Sequence, residues 1–318
     1  MRDIVKGEDA QIRAVGQVIN HVAPDILLLT DIDFDAGLSA VAAFSDTLAQ
    51  PYPHLYAALP NAGQQLGLDL NGDGYTGDAR DALGYGRFLG DGGMAVLSRY
   101  PIMREDVVDL SGILWRDVLG SILPEVDGAP FPNTAIFDDL PVSSTGHWMV
   151  PIDIDGTRMT LLAFDATPPV FDGAEDFNGL RNRDEARLWQ AVLEGHFGPA
   201  PTYPVLIGNA NADPFDGEGF HDAITALLTH PALQTTNPRS AGAAEAATAA
   251  HAGPPELDTA DWPEDGPGNL RVSYVLPAAD LHVVDQGVFW PAPSDPLAAL
   301  LDETGPHRIV WVDVALPQ

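Results

Sequence analysis

The run Asp25 to Thr30 (DILLLT), followed at once by Asp31-Ile-Asp33-Phe-Asp35, constrains this chain more than any other stretch. An unbroken apolar run this short predicts a strand covered on both faces, so layers must lie above and below its sheet. The carboxylates that end it are then delivered to one edge of that sheet. Pro204 to Gly208 (PVLIG) repeats the pattern and ends in Asn209-Ala-Asn211-Ala-Asp213. Short buried strands ending in Asp or Asn, with helical stretches between them, predict an α/β sandwich whose loops gather polar side chains at one edge.

Other segments support this reading. Asp9 is placed to cap a helix in which Ile12, Val15, Ile19 and Val22 share a face, and Pro24 closes it. Pro60 to Gly93 is rich in Gly, Asn and Asp and reads as a long loop, before Gly93 to Ser98 resumes as a strand. His147 to Asp153 and Thr157 to Phe164 read as two strands joined at Asp155-Gly156, a hairpin turn. Arg183 to Glu194 has the helical spacing Ala186, Trp189 and Leu193, and the Ala-rich stretch Ala241 to Ala252, with the Pro- and acid-rich run to Gly268, reads as an exposed helix plus irregular loop. Arg271 to Leu276, Leu281 to Val288 and Arg308 to Ala315 read as closing strands. Neither a repeat nor a domain boundary is visible, so residues 1–318 are expected to form one domain.

Charge narrows the partners. With 46 acidic and 15 basic residues the formal charge is -31, which opposes a phosphate backbone and makes general nucleic-acid binding an unfavoured function. The absence of cysteine excludes disulfides and thiolate metal sites and leaves the redox compartment open. No apolar run approaches the roughly 20 residues that span a bilayer, and Met1 to Ala10 is too charged for a signal peptide, so a soluble chain is expected.

At the predicted strand ends the sequence resembles the endonuclease/exonuclease/phosphatase superfamily, and more closely a bacterial branch of it. The stretches that carry the resemblance are PDILLLTDIDFD (24–35), GDARDALGYGRF with GGMAVLSRYPI (77–102), HWMVP (147–151) and TPPVFDGAEDFNGLRNRDEARLW (167–189). GNANADP (208–214), DWPEDGPGNLRVSYVLPAADL (261–281) and GPHRIVWVDV (305–314) continue it in the family's order. The resemblance implies a four-layer α/β sandwich of two mixed sheets flanked by helices, and a magnesium- or manganese-dependent attack of water on a phosphomonoester or phosphodiester. It also implies that the family's initial strand, with a metal-binding asparagine, is missing ahead of the first helix, and it is compatible with export.

Several positions depart from the family pattern. Asp31 stands where a metal-binding glutamate is expected, one methylene shorter. Asp165 replaces a histidine that would donate to the phosphate, and an ionised aspartate donates nothing. The family's Gly-Asp-x-Asn reads Gly208-Asn209-Ala210-Asn211, which keeps Asn211 but puts an amide, not a base, at 209. Gly305-Pro306-His307 keeps the histidine and loses the carboxylate that would orient it. Ser273, Met149 and Thr145 also stand where charged residues are expected. The candidate catalytic residues are therefore Asn211, His307, Asp165 and Asn209, and weak or no hydrolysis is expected.

For metals two places stand out. Asp31 and Asp33 read either as residual ligands for Mg or Mn or as a solvated strand end. Asp69, Asn71 and Asp73, with Gly74, have the spacing of a calcium loop, but Arg80 holds its twelfth position; Asp78 or Asp81 could stand in, and a plain turn is the competing reading. An active phosphatase or phosphodiesterase with a rearranged site, and a calcium-stabilised extracellular binding module, are the alternative functions.

Overall fold

A computed structural model describes residues 2–317. In chain order its elements are α1 (Arg2–Lys6), α2 (Ala10–Val22), β1 (Ile26–Ile32), α3 (Ser39–Ser45), β2 (His54–Tyr56), β3 (Gly93–Ser98), β4 (Val108–Asp109), β5 (Glu125–Val126) and β6 (Ala129–Pro130). Then follow β7 (Gly146–Ile154), β8 (Thr157–Asp165), α4 (Phe177–Leu193), β9 (Pro204–Asn209), α5 (His221–Leu228), α6 (Ala241–Glu245), β10 (Ser273–Pro277), β11 (His282–Val288) and β12 (Val310–Ala315).

Alternation along the strands builds the layers. On β3, Met94 and Val96 join Trp148, Val150 and Ile152 of β7 and Met159 and Leu161 of β8 in a core between two sheets. Ala95 and Leu97 point the other way, into a second core with Ile19 of α2 and Val41 and Phe44 of α3. On β8 the opposite parity, Leu162 and Phe164, packs under Trp189 and Val192 of α4 and Leu227 of α5. Period-two patterning of fully apolar strands thus gives helix, sheet, sheet, helix, the four layers expected.

One sheet is mixed and runs β10-β9-β8-β7-β4, with β8 and β9 parallel and the other pairs antiparallel. The facing layer is antiparallel and comes in two pieces, β1-β3-β2 and β11-β12. Between β7 and β8 the chain reverses at Asp155 and Gly156, both with positive φ (51° and 89°), as a two-residue hairpin needs.

Asp9 caps α2 by accepting the Ile12 amide at 3.0 Å, as its position predicts. Three expectations shift. Helix α4 begins at Phe177, six residues before the apolar spacing that marks it, because its first turns are buried through polar side chains. The Ala-rich stretch is helical only over α6, and Ala243 is fully buried beside Trp290 instead of exposed. The strand read from Arg271 begins at Ser273, since Arg271 turns inward to donate to the Thr236 carbonyl at 2.9 Å.

Candidate functional site

Strand register, not sequence proximity, assembles the polar edge. Asp165 lies opposite Asn209 in the parallel β8-β9 pair, and Asn209 lies opposite Ser273 in β9-β10. Gly208 makes this approach possible: a Cβ there would sit 1.9 Å from the Phe164 carbonyl oxygen. The Asn209 Nδ2 donates to Asp165 Oδ1 at 3.2 Å, while its Oδ1 accepts the Asn211 amide at 3.2 Å. Asn211 in turn donates through Nδ2 to the Ala166 carbonyl at 2.7 Å. Both ends of the Asn209 amide are therefore engaged, and what it presents to Asp165 is a donor.

Asp31 and Asn211 both hold left-handed backbone (φ 56° and 49°), a conformation that Asp and Asn tolerate better than most residues. At Asp31 the pairing of β1 with β3 is irregular between Leu29 and Ile32, which turns the strand end out of register. Asp33 lies beside it, exposed. Asp35, two residues on, is consumed as a cap: its carboxylate accepts the amides of Gly37, Ser39 and Ala40 at 3.1, 2.8 and 2.9 Å.

The electrostatics are dominated by carboxylates in restricted solvent. Burial, then the charges of Glu185 and Asp31, push the Asp165 carboxyl up to about 7, against the opposing Asn209 bond. Asp31 is itself raised by desolvation and by Asp91 and Asp33. Glu185 is pushed to about 7 by burial, although Arg181 and the donors of Ser144 and Thr167 favour its ionised form. Such a cluster repels a phosphate dianion unless protons or cations neutralise it.

His307 lines the same cavity as Asn209 and Ser273. Its ring packs edge-on against Trp262 with centroids 5.2 Å apart, and desolvation followed by the neighbouring Arg308 charge lowers its pKa. Met149 pairs with Leu162 and packs against the core under α4, inward of the edge. Thr145 is buried, and its carbonyl accepts the Asn61 amide at 2.9 Å. His147 is wholly buried, stacked on Trp189, with Nδ1 at 2.8 Å from Ser143 Oγ; burial pushes its pKa to about 3, so it is neutral packing, as the strand reading expects.

The residues that sequence reasoning missed lie on α4. Arg181 donates to the carbonyls of Val142, Pro141, Ser143 and Leu83. Asn182 donates to those of Thr167 and Ala210, each at 2.7 Å, and Glu185 accepts the Ser144 and Thr167 amides, each at 2.7 Å. These three side chains fix the loops on either side of Asp165 and Asn209. Their only signal in the sequence is a dense set of charges, NGLRNRDEARLW, around the bulky core residues Leu188 and Trp189.

Asp69, Asn71 and Asp73 lie in the long loop and are engaged by its backbone. Asp69 accepts the amides of Gly72 and Gly74 at 2.7 and 2.8 Å, Asn71 that of Asp73 at 2.9 Å, and Asp73 that of Tyr75 at 2.9 Å. Arg80 pairs with Asp73 at 3.4 Å, and Asp81 is buried, accepting the Leu70 amide at 3.0 Å. A guanidinium thus stands where a calcium loop needs its last carboxylate. Calcium at millimolar concentration is expected to leave the melting temperature unchanged, which scanning calorimetry with and without chelator checks; a rise lost in Asp73→Ala would contradict it.

Among the described residues no group of three or more His, Asp or Glu side chains comes together in a way that would hold a metal ion, at Asp31 and Asp33 or elsewhere. Residues 5–295 match the endonuclease/exonuclease/phosphatase family. The chain belongs to that family. No curated protein matches its sequence. Its fold is similar to that of an endonuclease/exonuclease/phosphatase family protein from Leptotrichia buccalis, at 13% identity and a TM-score of 0.54 over 96% of this chain and 93% of that one. It is also similar to an endonuclease/exonuclease/phosphatase from Bacteroides vulgatus (11%, 0.52, 97% and 91%) and to the Neisseria 3' phosphatase NExo solved with a product DNA hairpin (17%, 0.50, 97% and 96%). At these identities the likeness is one of fold. No helix among the described residues is long and apolar enough to cross a membrane.

Proposed function

We propose that this endonuclease/exonuclease/phosphatase-family protein keeps the phosphoesterase fold with weak or no hydrolytic activity, and that any substrate is a phosphorylated small molecule or phosphodiester and not nucleic acid. The observation that carries this is the Asn209 to Asp165 hydrogen bond. An amide offers no basic lone pair to take a proton from water, and the Asp165 carboxyl beside it repels the phosphate once ionised. Magnesium or manganese would supply charge neutralisation and an activated water in such a fold. The donor set does not fit that role, since among the described residues no group of three or more His, Asp or Glu side chains gathers at Asp31 and Asp33. The net charge of -31 further opposes a polyanion.

Purified protein incubated with magnesium or manganese is expected to hydrolyse p-nitrophenyl phosphate, bis-p-nitrophenyl phosphate and a DNA oligonucleotide at rates near the uncatalysed background. Loss of a single general acid or base costs about 10²- to 10⁴-fold, and more than one is replaced here. Robust metal-dependent turnover that Asn211→Ala removes would reject the proposal.

One observation favours a second reading, an active phosphoesterase with a rearranged site. Asp165 titrates near neutrality, where a carboxyl can deliver a proton to a leaving oxygen. Under that reading turnover exists, falls as pH rises through about 7, and is lost in Asp165→Asn.

A further inference from the structure

Beside β10, three irregular segments are tied together through side-chain oxygens. Asp213, in the loop that follows β9, accepts the amides of Phe215 and Asp216 at 2.7 and 3.0 Å through Oδ1, and that of Arg271 at 2.7 Å through Oδ2. Asp216 accepts the amides of Ala252 and Gly253 at 2.8 and 2.7 Å. Thr259, wholly buried, accepts those of Val272 and Ser273 at 2.9 and 3.0 Å through Oγ1. One carboxylate in this junction has no donor. Asp258 is only 7% exposed, and what acts on its carboxyl is burial and neighbouring charge, with no hydrogen bond.

The groups that face Asp258 come from each segment packed on it. Asp213 and Asp216 from the β9 loop and Glu256 from its own turn oppose its ionisation, and Arg271 alone favours it. Glu256 is paired with Arg239. Arg271 is engaged elsewhere: its Nη2 donates to the Thr236 carbonyl at 2.9 Å, its plane lies over Tyr274, and its Nε is buried without a partner. Burial holds the Tyr274 hydroxyl neutral, between the carbonyl oxygens of Ala212 and Arg271 at 2.8 and 2.6 Å. His251, beside Ala252, has Nδ1 at 2.8 Å from the Asn269 carbonyl oxygen and donates to it. A buried carboxylate with no donor either keeps its proton or opens its surroundings to water. Burial, then Asp213, Asp216 and Glu256, push Asp258 up to about 7, and burial raises Asp213 as well, against its three amide bonds.

We propose that Asp258 is a proton-operated latch: protonated, it lets the loop 213–216 close on 252–253 and 271; ionised, it repels Asp213 and Asp216 and loosens the segment that carries Asn211. The closed junction holds the proton up to about 7, whereas an opened one releases it near 3.8. Closure is therefore favoured most below about pH 4, and that preference is gone above about 7. Asn211 stands two residues before Asp213, with its amide on Asn209 and its side chain on the Ala166 carbonyl. Its hold on the polar edge weakens in the same direction. This inference rests on the junction around Asp258 and not on the hydrolytic reading.

The test is hydrogen exchange on the intact protein at about pH 5.5 and 8.5, expressed as protection factors so that the intrinsic pH dependence of exchange is removed. Between the two, the amides of Phe215, Asp216, Ala252 and Gly253 are expected to lose at least about tenfold more protection than those of the β7-β8 hairpin. Asp258→Asn keeps the shape and cannot ionise, so the extra loss is expected to vanish; His251→Gln is expected to retain it. Independently of how either variant folds, the Asp258 carboxyl carbon, followed by NMR in the parent, is expected to titrate near neutrality. Equal loss at the junction and the hairpin, an extra loss that survives in Asp258→Asn or disappears in His251→Gln, or a carboxyl that titrates below about pH 5 would each overturn the proposal.

Discussion

Arg181→Ala is expected to destabilise the protein by about 3–5 kcal/mol. Arg181 is only 4% exposed. Its Nε donates to the Val142 carbonyl at 2.9 Å, and its Nη2 to those of Pro141 and Ser143 at 2.9 and 3.0 Å, with Leu83 as a further acceptor. These carbonyls belong to two irregular segments that carry only isolated bridges, Leu114 with Pro141 and Gln65 with Ala82, in place of a sheet or helix ladder. Alanine takes the Arg181 donor from all four, leaving only Ser143 with the Asn61 Nδ2 at 2.8 Å, and the cost of a buried unsatisfied acceptor exceeds what the intact bond contributes. Burial alone lowers the Arg181 pKa to about 10, so the charge is held against a desolvation penalty by its acceptors and by Glu185 one turn along. Without Arg181, Glu185 loses the charge that favours its ionised form, and its carboxyl rises further. Lysine is expected to recover part of the loss, because it restores a charge but not the planar fork. Urea unfolding gives the comparison; an Arg181→Ala midpoint equal to the parent's would show that the four carbonyls find water instead.

What the sequence made legible follows from the range over which each signal acts. GMAVLS is a strand over the residues its apolar run marks, because burial on both faces is written into the run itself. The Asp155-Gly156 turn and the Asp9 cap are equally local. The start of α4 was not legible, since Arg181, Asn182, Asp184 and Glu185 count as a solvated face in any periodicity argument. Their burial depends on carbonyls that accept from Arg181 and Asn182 and on N–H groups that donate to Asp184 and Glu185, 15 to 98 positions away in the chain. The motif resemblance placed Asp165 and Asn209 at strand ends, but the bond between them depends on the parallel register of β8 and β9. The loop at Asp69 shows the reverse failure: its spacing is that of a calcium site, and only the inward turn of Asp81 and the pairing of Arg80 decide what the carboxylates do.

Asp165→Asn is expected to stabilise the protein above neutral pH and to change little at pH 4. The folded state holds the Asp165 carboxyl at about 7, whereas an unfolded chain holds it near 3.8. Between those values the folded protein binds more protons, so the favourable contribution present below about 4 is lost as pH rises through 7. A shift of this size corresponds to at most about 4 kcal/mol, and about 2–4 kcal/mol is the reasonable range at a half-buried edge. Glu185 is raised for the same reason and shifts stability in the same direction, so the two titrate as a pair and the variant flattens the profile without abolishing its slope. Asparagine at 165 still offers an oxygen to Asn209 Nδ2, and the geometry survives the change. Asn209→Asp works the other way: it removes the donor and sets a second carboxylate about 3 Å from the first, so stability above pH 7 is expected to fall by a similar amount. The double exchange, Asp165→Asn with Asn209→Asp, keeps one amide and one carboxylate with the bond reversed, and its melting temperature is expected to lie close to the parent's at every pH. Thermal melts of the four proteins from pH 4 to 9 carry the test. If Asp165→Asn melts in parallel with the parent across that range, Asp165 is ionised throughout and its field on the cleft is that of an ordinary exposed carboxylate.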